Sequence, residues 1–594
     1  MTRSQTSAAV KGLDQLYEFD REPVTNDKLL GPGYFAGSFS GEHVAATEFV
    51  IGVMFVNWGA SVQDVFVGLA IGNVLAVLTW TFICAPIAVD TRLTLYWYLR
   101  RIGGPFMTVI YNVLNAILFC ILAGCMITVA ASAVRIPFNI PAQTDWYPND
   151  LRFVLVVLAV GAVVVALAIL GFKKLAAFSA VCSPWMFLMF VSGAVAMLPL
   201  LANAAHVGPI RSVDQFLEMG RNVVWTGRTP DGSPPMGFWK VAAFAWICNL
   251  AMHGGLSDMA LFRYARRASY GLFSAFGMFL GHYLAWICAG MMGVGAALLL
   301  SRPLPELDAG EVGYQTLGWA GAIAVIIAGW TTSNPTLYRA GLAFQAITPN
   351  WSRAKVTLVT GLVTTIIACF PFVFTKLLDF VGIYGLLLAP AGAIVVTEHW
   401  VFRRIGLTRY WASRRGHSLN APALTAWIVS IVFALVTEKK LLLALAGAAL
   451  PAAAVDGITQ ALDRVITIDL FFLFLPVYIL TSVLYIVLAS LSGAREAVAH
   501  AEAEPPAAAA PLAAATTEPG SAGGERTVPW VSGLVALAAL VACLVMPMGV
   551  FLGGNDRYEA HLAAFRTWLM LPTVVYFVAG TIFYYRWCQG RITV

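Results

Sequence analysis

The chain has 594 residues, of which 59% are hydrophobic and only 11% are charged. Soluble globular domains carry about 25% charged and about 45–50% apolar residues, so the composition excludes an ordinary soluble protein. The net charge of +6 does not indicate nucleic-acid binding, because the basic residues lie between apolar blocks and form neither one basic face nor a basic tail.

Long uncharged blocks follow one another along the chain. Residues 153–172, 471–491 and 530–552 each run about 20 residues without a charge, the length that crosses about 30 Å of hydrocarbon. The full pattern of apolar blocks and polar breaks predicts an all-α polytopic membrane protein with fourteen spans. In chain order, the spans are expected at 36–58, 62–87, 104–134, 151–172, 176–203, 238–258, 269–301, 316–346, 355–374, 378–402, 421–437, 466–491, 530–552 and 566–586.

The spans form a twelve-span core and two extra C-terminal spans. A linker rich in Ala, Pro, Glu and Gly separates the two parts and is expected to be flexible and cytoplasmic. Within residues 438–465, the segment 440–455 is a candidate for a short re-entrant or interfacial helix. The expected divisions are a cytoplasmic N-terminal segment at 1–30, spans 1–5 at 31–203, an external loop at 204–237, spans 6–10 at 238–402, spans 11–12 at 403–492, the linker at 493–528, and the extra spans with a short tail at 529–594.

Lysine and arginine residues in the short loops predict the orientation. The loops after the second, fourth, sixth, eighth and tenth spans are basic, whereas the loop after the seventh carries Glu306, Asp308 and Glu311 against Arg302. Basic loops stay on the cytoplasmic side, so both termini are expected in the cytoplasm and the spans in the cytoplasmic or plasma membrane. The N-terminus lacks a cleavable signal peptide pattern, so the first span is expected to direct insertion. The loop at 205–237 either covers an outward mouth or is an inert connection.

The sequence favours a carrier over an enzyme. The nine cysteines lie within or just past apolar spans without CxxC spacing and are expected as packing thiols. The sequence contains neither HExxH nor GxSxG, and no cofactor is expected. Movement of a small solute is therefore the leading interpretation, ahead of a membrane-embedded enzyme or a transporter-like sensor whose last two spans report occupancy.

Three spans contain runs of polar and small residues, at 37–48 in the first, 249–258 in the sixth and 329–335 in the eighth. Unsatisfied polar groups are costly in hydrocarbon, so these runs are expected to face protein or water. The first and sixth spans hold matching places in two five-span halves, which predicts a five-plus-five inverted-repeat transporter with its site near the midplane. The alternative is that the glycines only allow helices to pack closely.

Pro335 gives the eighth span a further property. It removes a helical NH, so the carbonyl near residue 331 loses its usual partner. Thr331 and Thr332 add two hydroxyl oxygens beside that carbonyl. Uncharged oxygens of this kind suit a monovalent cation, whereas the alternative is that the hydroxyls bond back to their own helix.

The stretch AGWTTSNPTLYRAGLAFQAITPNWSRAKVTLVTGLV resembles the eighth and ninth spans of the nucleobase–cation symporter-1 family, the cytosine and hydantoin permease group. GASVQDVFVGLAIGN, LFRYARRAS and VVTEHWVFRRIGL are also similar to that family. The resemblance covers roughly residues 30–410, continues weakly to about 490, and does not include the last two spans. It implies the five-plus-five fold and sodium-coupled uptake of a nucleobase-like planar nitrogen heterocycle.

The resemblance also implies site residues. A sodium ion would lie between the carbonyls of the broken first span and oxygens of the eighth, at Glu42, Ala45, Ala328, Thr331 and Thr332. The substrate would lie between the first, third, sixth and eighth spans, near Asn115, Phe119, Asn249, His253, Ser333 and Asn334. The family has an aromatic residue in the sixth span where this chain has Leu250, and Trp246 is the candidate to replace it.

Glu42 and His43 lie inside a span, where an ionisable residue is a functional candidate by default. Because of these two residues, proton coupling is an alternative to sodium coupling. Another small polar or cationic solute is an alternative to a nucleobase-like cargo. The expected partners are the lipid bilayer, a small-molecule substrate and a coupling cation, without nucleic acid. The oligomeric state does not follow from the sequence.

Overall fold

The computed structural model describes residues 22–143, 145–169, 172–348, 350–371, 373–496 and 527–592. Within these ranges the chain is helical, and only two isolated β-bridges occur. Most of the predicted flexible linker and of the predicted cytoplasmic N-terminal segment lies outside the described residues.

The first five predicted spans correspond to the following helices: Pro32–His43 and Thr47–Asn57; Leu69–Thr79 and Ala85–Thr91, with π-helical turns at Asp64–Gly68 and Trp80–Cys84; Leu95–Val134; Leu151–Ile169; and Phe172–Ala204. The next five are formed by Phe238–Ile247, Leu250–His253 and Met259–Phe262; π-helical Phe276–Ala285 with Trp286–Leu300; Trp319–Ile347; Arg353–Ala368; and Val373–Val396 with π-helical Thr397–Val401 and Phe402–Arg404. The last spans are Ala421–Glu438, Phe474–Leu491, Thr527–Leu552 and Met570–Ile592. Shorter connecting helices are Val213–Met219, Ala309–Leu317, Lys440–Ala449, Ala452–Leu462 and Tyr558–Trp568.

The predicted interruptions of the first and sixth spans are confirmed. The two halves of the first span meet at a bend of 52° after His43. The sixth span stops at Ile247, makes one short turn at Leu250–His253, and turns again at Leu256, whose φ is +63°. The eighth span differs from them, because Trp319–Ile347 continues as one helix through Pro335.

Ten of the described helices are long and apolar enough to cross a membrane, or eleven if the bent first pair counts as one span. The three other expected spans coincide with the interrupted sixth span, the polar eighth helix and the 16-residue helix Arg353–Ala368. The count of fourteen therefore stays a prediction. The short helix expected at 438–465 corresponds to two helices, Lys440–Ala449 and Ala452–Leu462.

Apolar side chains cover much of the outer surface of the helices. Leu155, Ile366, Ile479 and Leu534 are each more than half exposed. A soluble protein would not expose so much apolar surface, whereas hydrocarbon tails accept it without cost. Together with the long apolar helices, these faces identify an integral membrane protein.

The two extra C-terminal spans pack against the fifth span. The Trp185 indole donates to the Thr573 hydroxyl at 3.2 Å, and the Ser192 hydroxyl donates to the Cys543 carbonyl at 2.8 Å. The Tyr576 hydroxyl donates to the Val181 carbonyl at 2.6 Å. These spans are thus joined to the core by polar contacts as well as by the linker.

The 205–237 loop packs against the predicted outer ends of the first two spans. The Met236 amide donates to the Trp58 carbonyl at 2.9 Å, and Thr226 forms a β-bridge with Ser61. Trp225 is buried, with its ring 5.3 Å from that of Phe66. The loop is therefore part of the folded structure at this end.

The predicted orientation has a direct test. In a Cys588→Ser background, a membrane-impermeant maleimide should label Glu306→Cys in intact cells and should label Arg404→Cys only after permeabilisation. Both positions are exposed in the structure, so accessibility depends on the side of the membrane. Equal labelling of the two variants in intact cells would contradict the topology.

Candidate functional site

Both interrupted spans and the eighth span meet at a buried ion pair. The Arg339 guanidinium donates to the two carboxylate oxygens of Glu42 at 2.5 and 3.0 Å, and to Asp258 Oδ1 at 2.5 Å. The Trp80 indole of the second span donates to Asp258 Oδ2 at 2.7 Å. We refer to Glu42, Trp80, Asp258 and Arg339 as the Arg339 cluster. It connects four spans at the level of both helix breaks.

The electrostatics of the Arg339 cluster depend on its geometry. Arg339 and Asp258 are fully buried and Glu42 is 2% exposed, so none of the three charges is stabilised by solvent. The planar guanidinium meets Glu42 with two parallel hydrogen bonds, which is the arrangement that best offsets the loss of hydration. Two carboxylates share one guanidinium, so the cluster with both ionised carries one uncompensated negative charge.

A group of uncharged polar side chains lies near Arg339 and Phe119. The guanidinium lies 6.0 Å from the centre of the Phe119 ring, and the Tyr384 ring meets Phe119 edge-on at 5.5 Å. Tyr96 lies beside Asn115, and both amide atoms of Asn115 have no hydrogen-bond partner among the described residues. The buried hydroxyls of Tyr96, Tyr111, Ser257 and Tyr384 likewise make no hydrogen bond of good geometry there, although Tyr96 lies close to Asn115 and Ser257, and Tyr111 lies close to Ser257. We refer to these residues with Asn115 as the tyrosine cluster.

Gly104 allows Tyr96 to lie beside Asn115 within the tyrosine cluster. The backbone at Gly104 has φ +76°, which kinks Leu95–Val134 immediately before Pro105. A Cβ atom at this position would lie 2.6 Å from the Ser418 carbonyl oxygen, so both the backbone conformation and the close approach require glycine. The turn before the kink thereby brings Tyr96 next to Asn115, which follows the kink.

The predicted cation residues lie where the first and eighth spans cross. The Thr332 hydroxyl donates to the Glu42 carbonyl at 2.8 Å and lies 3.1 Å from the Ala328 carbonyl. The Thr331 hydroxyl bonds back to Ala328 at 3.1 Å. The Ala45 carbonyl accepts from the Glu48 amide at 3.2 Å, at the start of the second half of the first span. The structure thus brings Glu42, Ala328, Thr331 and Thr332 together, and Ala45 lies within the break itself.

The predicted substrate residues fall into separate groups. Asn115 and Phe119 adjoin the Arg339 cluster, and the His253 ring lies 4.9 Å from the ring of Trp80. Asn249 contacts His282 of the seventh span at 3.3 Å. Three further residues make other contacts: Trp246 donates to Thr79 and packs on Phe474, while Ser333 and Asn334 bond to the Trp330 carbonyl of their own helix.

The sequence interpretation did not select Arg339, Asp258 or the tyrosines as site residues. Arg339 lies within the expected eighth span, and an arginine at that depth is a functional candidate by default. The position of this arginine inside a predicted span could therefore have identified it as a site residue from the sequence alone. No sequence pattern pairs Arg339 with a residue nearly 300 positions earlier, because the pairing depends on how the spans pack.

Three solved structures have the same arrangement of helices. One is Mhp1, a nucleobase-cation-symport-1 family transporter, in a closed conformation with bromovinylhydantoin bound (TM-score 0.58, 16% identity, 80% of this chain and 96% of that chain). Another is the inward-facing conformation of Mhp1 (TM-score 0.56, 15% identity, 80% and 94%). The third is a Na⁺-coupled sialic acid symporter in a substrate-bound outward-open state (TM-score 0.52, 13% identity, 81% and 95%).

The likeness confirms the predicted five-plus-five inverted-repeat fold. All three structures are transporters rather than enzymes. No protein-family model matches the sequence, and no curated protein matches it.

Removing the Arg339 guanidinium should destabilise the protein strongly. In Arg339→Gln, Glu42 and Asp258 lose their charged partner and must either stay ionised in a buried site or take up protons, so the free energy of unfolding in detergent should fall by about 3–5 kcal/mol. Adding Glu42→Gln and Asp258→Asn should recover much of that loss. Arg152→Gln, which breaks an exposed pair with Asp150, is the control and should leave unfolding unchanged. A triple variant no more stable than Arg339→Gln would show that charge pairing does not hold this site.

Proposed function

We propose that this chain is a secondary active transporter that couples the movement of a cation to the uptake of a small solute by alternating access. The observation that carries the proposal is the meeting of both interrupted spans with the eighth span at one buried polar site, within a fold found in cation-coupled symporters. Helix breaks at membrane depth expose backbone groups only where they contact protein, solute or ion.

The cargo proposed first is a nucleobase-like planar nitrogen heterocycle. Such a ring carries donors and acceptors on its edge and an apolar face. The tyrosine cluster offers hydroxyls and an amide without partners among the described residues, and Phe119 offers an adjacent aromatic side chain. Buried polar groups without partners are rare, and a bound ligand is one physical reason for them. The bromovinylhydantoin bound to Mhp1 is a heterocycle of this class.

Sodium is the coupling cation proposed first. Support comes from the crossing of the first and eighth spans, where the Thr332 hydroxyl lies within hydrogen-bond distance of both the Glu42 and the Ala328 carbonyl oxygens. These three uncharged oxygens can replace part of the hydration shell of a monovalent cation.

A cationic solute is the second candidate cargo. The carboxylates of Glu42 and Asp258 carry two negative charges when ionised, whereas the guanidinium of Arg339 carries one positive charge. All three side chains are buried. A positive solute beside Phe119 would balance the remaining charge and would also gain from the aromatic face. A ligand screen that includes organic cations separates the two candidates.

Heterocycle binding should depend on the tyrosine cluster. In a thermal-stability screen of nucleobases, hydantoins and organic cations, a ligand at 100 times its Kd should stabilise the protein by about 2.7 kcal/mol. Asn115→Ala leaves polar ligand atoms unpaired and should weaken binding by about 1–3 kcal/mol, or about 5- to 150-fold. The exposed residue Asn203 provides the control variant Asn203→Ala. Unchanged affinity in both Asn115→Ala and Phe119→Ala would rule out this pocket.

Sodium binding should depend on Thr331 and Thr332. The double variant Thr331→Ala/Thr332→Ala removes two oxygens and should raise the sodium concentration that gives half-maximal ligand binding. Thr336→Ala is the matched control, because the Thr336 hydroxyl donates to the Thr332 carbonyl of its own helix. Ligand binding by the unmutated protein that is independent of sodium would end the sodium assignment.

A further inference from the structure

A second group of buried ionisable residues lies on the other side of the first helix break. Glu48 lies in the first turn of the second half of the first span, and its Oε1 lies 3.6 Å from His282 Nε2 of the seventh span. The two side chains are 2% and 5% exposed. Asn249, at the break of the sixth span, lies 3.3 Å from His282 Nδ1. We refer to Glu48, His282 and Asn249 as the Glu48 cluster.

The His282 ring is held in a defined orientation. It stacks on Trp286 with ring centres 4.4 Å apart and planes inclined by 13°. The Asn249 amide nitrogen lies 3.3 Å from Nδ1 and 3.5 Å from Nε2, so the ring is contacted by the sixth span as well. Nε2 is the atom that faces Glu48. His282 belongs to a π-helical segment, a deviation common at functional sites.

Two glycines of the seventh span bring the first helix break close to this ring. A Cβ atom at Gly281 would lie 1.8 Å from the His43 carbonyl oxygen, and one at Gly277 would lie 2.7 Å from His43 Nδ1. The His43 ring therefore lies 5.1 Å from the ring of His282. Its Nδ1 contacts the Phe39 carbonyl at 2.9 Å, while Nε2 has no hydrogen-bond partner in the described part of the chain.

Glu48 differs from Glu42 in its charge balance. The Glu42 carboxylate has a bidentate guanidinium, whereas no lysine or arginine is paired with Glu48 among the described residues, and its Oε2 accepts no hydrogen bond there. An ionised carboxylate that is buried beside only a neutral imidazole loses several kcal/mol of hydration energy, and no opposite charge offsets this loss. Uptake of one proton by the pair removes that cost, because Glu48 becomes a neutral carboxylic acid beside His282.

The groups around the pair do not supply a permanent positive charge. On the first span these are His43 and Glu42, and the sixth span contributes Cys248, His253 and Asp258. The fifth span has no acidic, basic or histidine residue between 179 and 204, and the second has none between 69 and 84. The guanidinium of Arg339 on the eighth span acts on His43, and it is bound to Glu42 and Asp258.

We propose that Glu48 and His282 form a single proton-binding site whose proton moves with the transported solute. The Glu48–His282 pair takes one proton from water on one side and releases it on the other, and no other bond is made or broken. Glu48 and His282 connect the second half of the first span to the seventh span, so their separation during alternating access would expose the proton. The coupling role rests on the proposed function, whereas proton binding by the pair does not.

Infrared difference spectra of the reconstituted protein between acidic and alkaline buffers test the proton site without any solute. The unmutated protein should show the carbonyl band of a protonated carboxylic acid that disappears at alkaline pH. Glu48→Gln should remove this band, while the control Glu306→Gln, at an exposed glutamate outside both buried clusters, should retain it. His282→Gln should shift its pH midpoint by about one unit or more, and this variant decides the outcome if Glu48→Gln does not fold. The proton site would be overturned if the carbonyl band were still present in Glu48→Gln. It would also be overturned if the pH midpoint of the band were unchanged in His282→Gln.

Uptake of radiolabelled uracil and hydantoin into proteoliposomes tests the coupling role. Glu48→Gln should retain exchange between equal concentrations and lose uptake driven by a pH gradient. Uptake that still follows the pH gradient in Glu48→Gln would overturn that role. If the unmutated protein moves neither probe, the failure belongs to the proposed cargo, and the infrared result alone decides the proton site.

Discussion

The ion pair between Arg339 and two carboxylates is the constraint on which the centre of this protein depends. Arg339 on an uninterrupted helix holds Glu42 at one helix break and Asp258 beside the other. Each break would leave backbone groups unsatisfied in hydrocarbon if it stood alone. The buried guanidinium fixes both breaks against the eighth span, because any displacement would leave a charge unpaired.

The neighbouring sites follow from that arrangement. The Glu42 carboxylate faces Arg339 while its carbonyl accepts from Thr332, so a single residue belongs to both the ion pair and the proposed cation site. The first break also places His43 near His282 and starts the helix that carries Glu48. Movement of the first span would therefore alter the cation site, the Arg339 cluster and the Glu48 cluster together, which is what coupled transport requires.

The sequence was sufficient for the fold because membrane insertion leaves a strong local signal. Apolar block length, the polar runs in the first and sixth spans, and the eighth-span motif predicted the architecture that the structure confirms. The sites were harder because they depend on helix packing. Thr332 was predicted to meet the first span and does contact the Glu42 carbonyl. The pairing of Arg339 with Glu42, the kink that brings Tyr96 beside Asn115, and the approach of His282 to Glu48 are long-range contacts without a sequence period.

Solute accumulation in sealed vesicles tests the central claim most directly. The purified chain would be reconstituted with an inward cation gradient, sodium or proton, and radiolabelled heterocycles would be supplied outside. We expect at least one planar heterocycle to reach a higher concentration inside than outside, and the excess to disappear when an ionophore collapses the gradient. Binding of such a ligand without accumulation under either gradient would contradict a cation-coupled transporter and would favour a sensor built on the same fold.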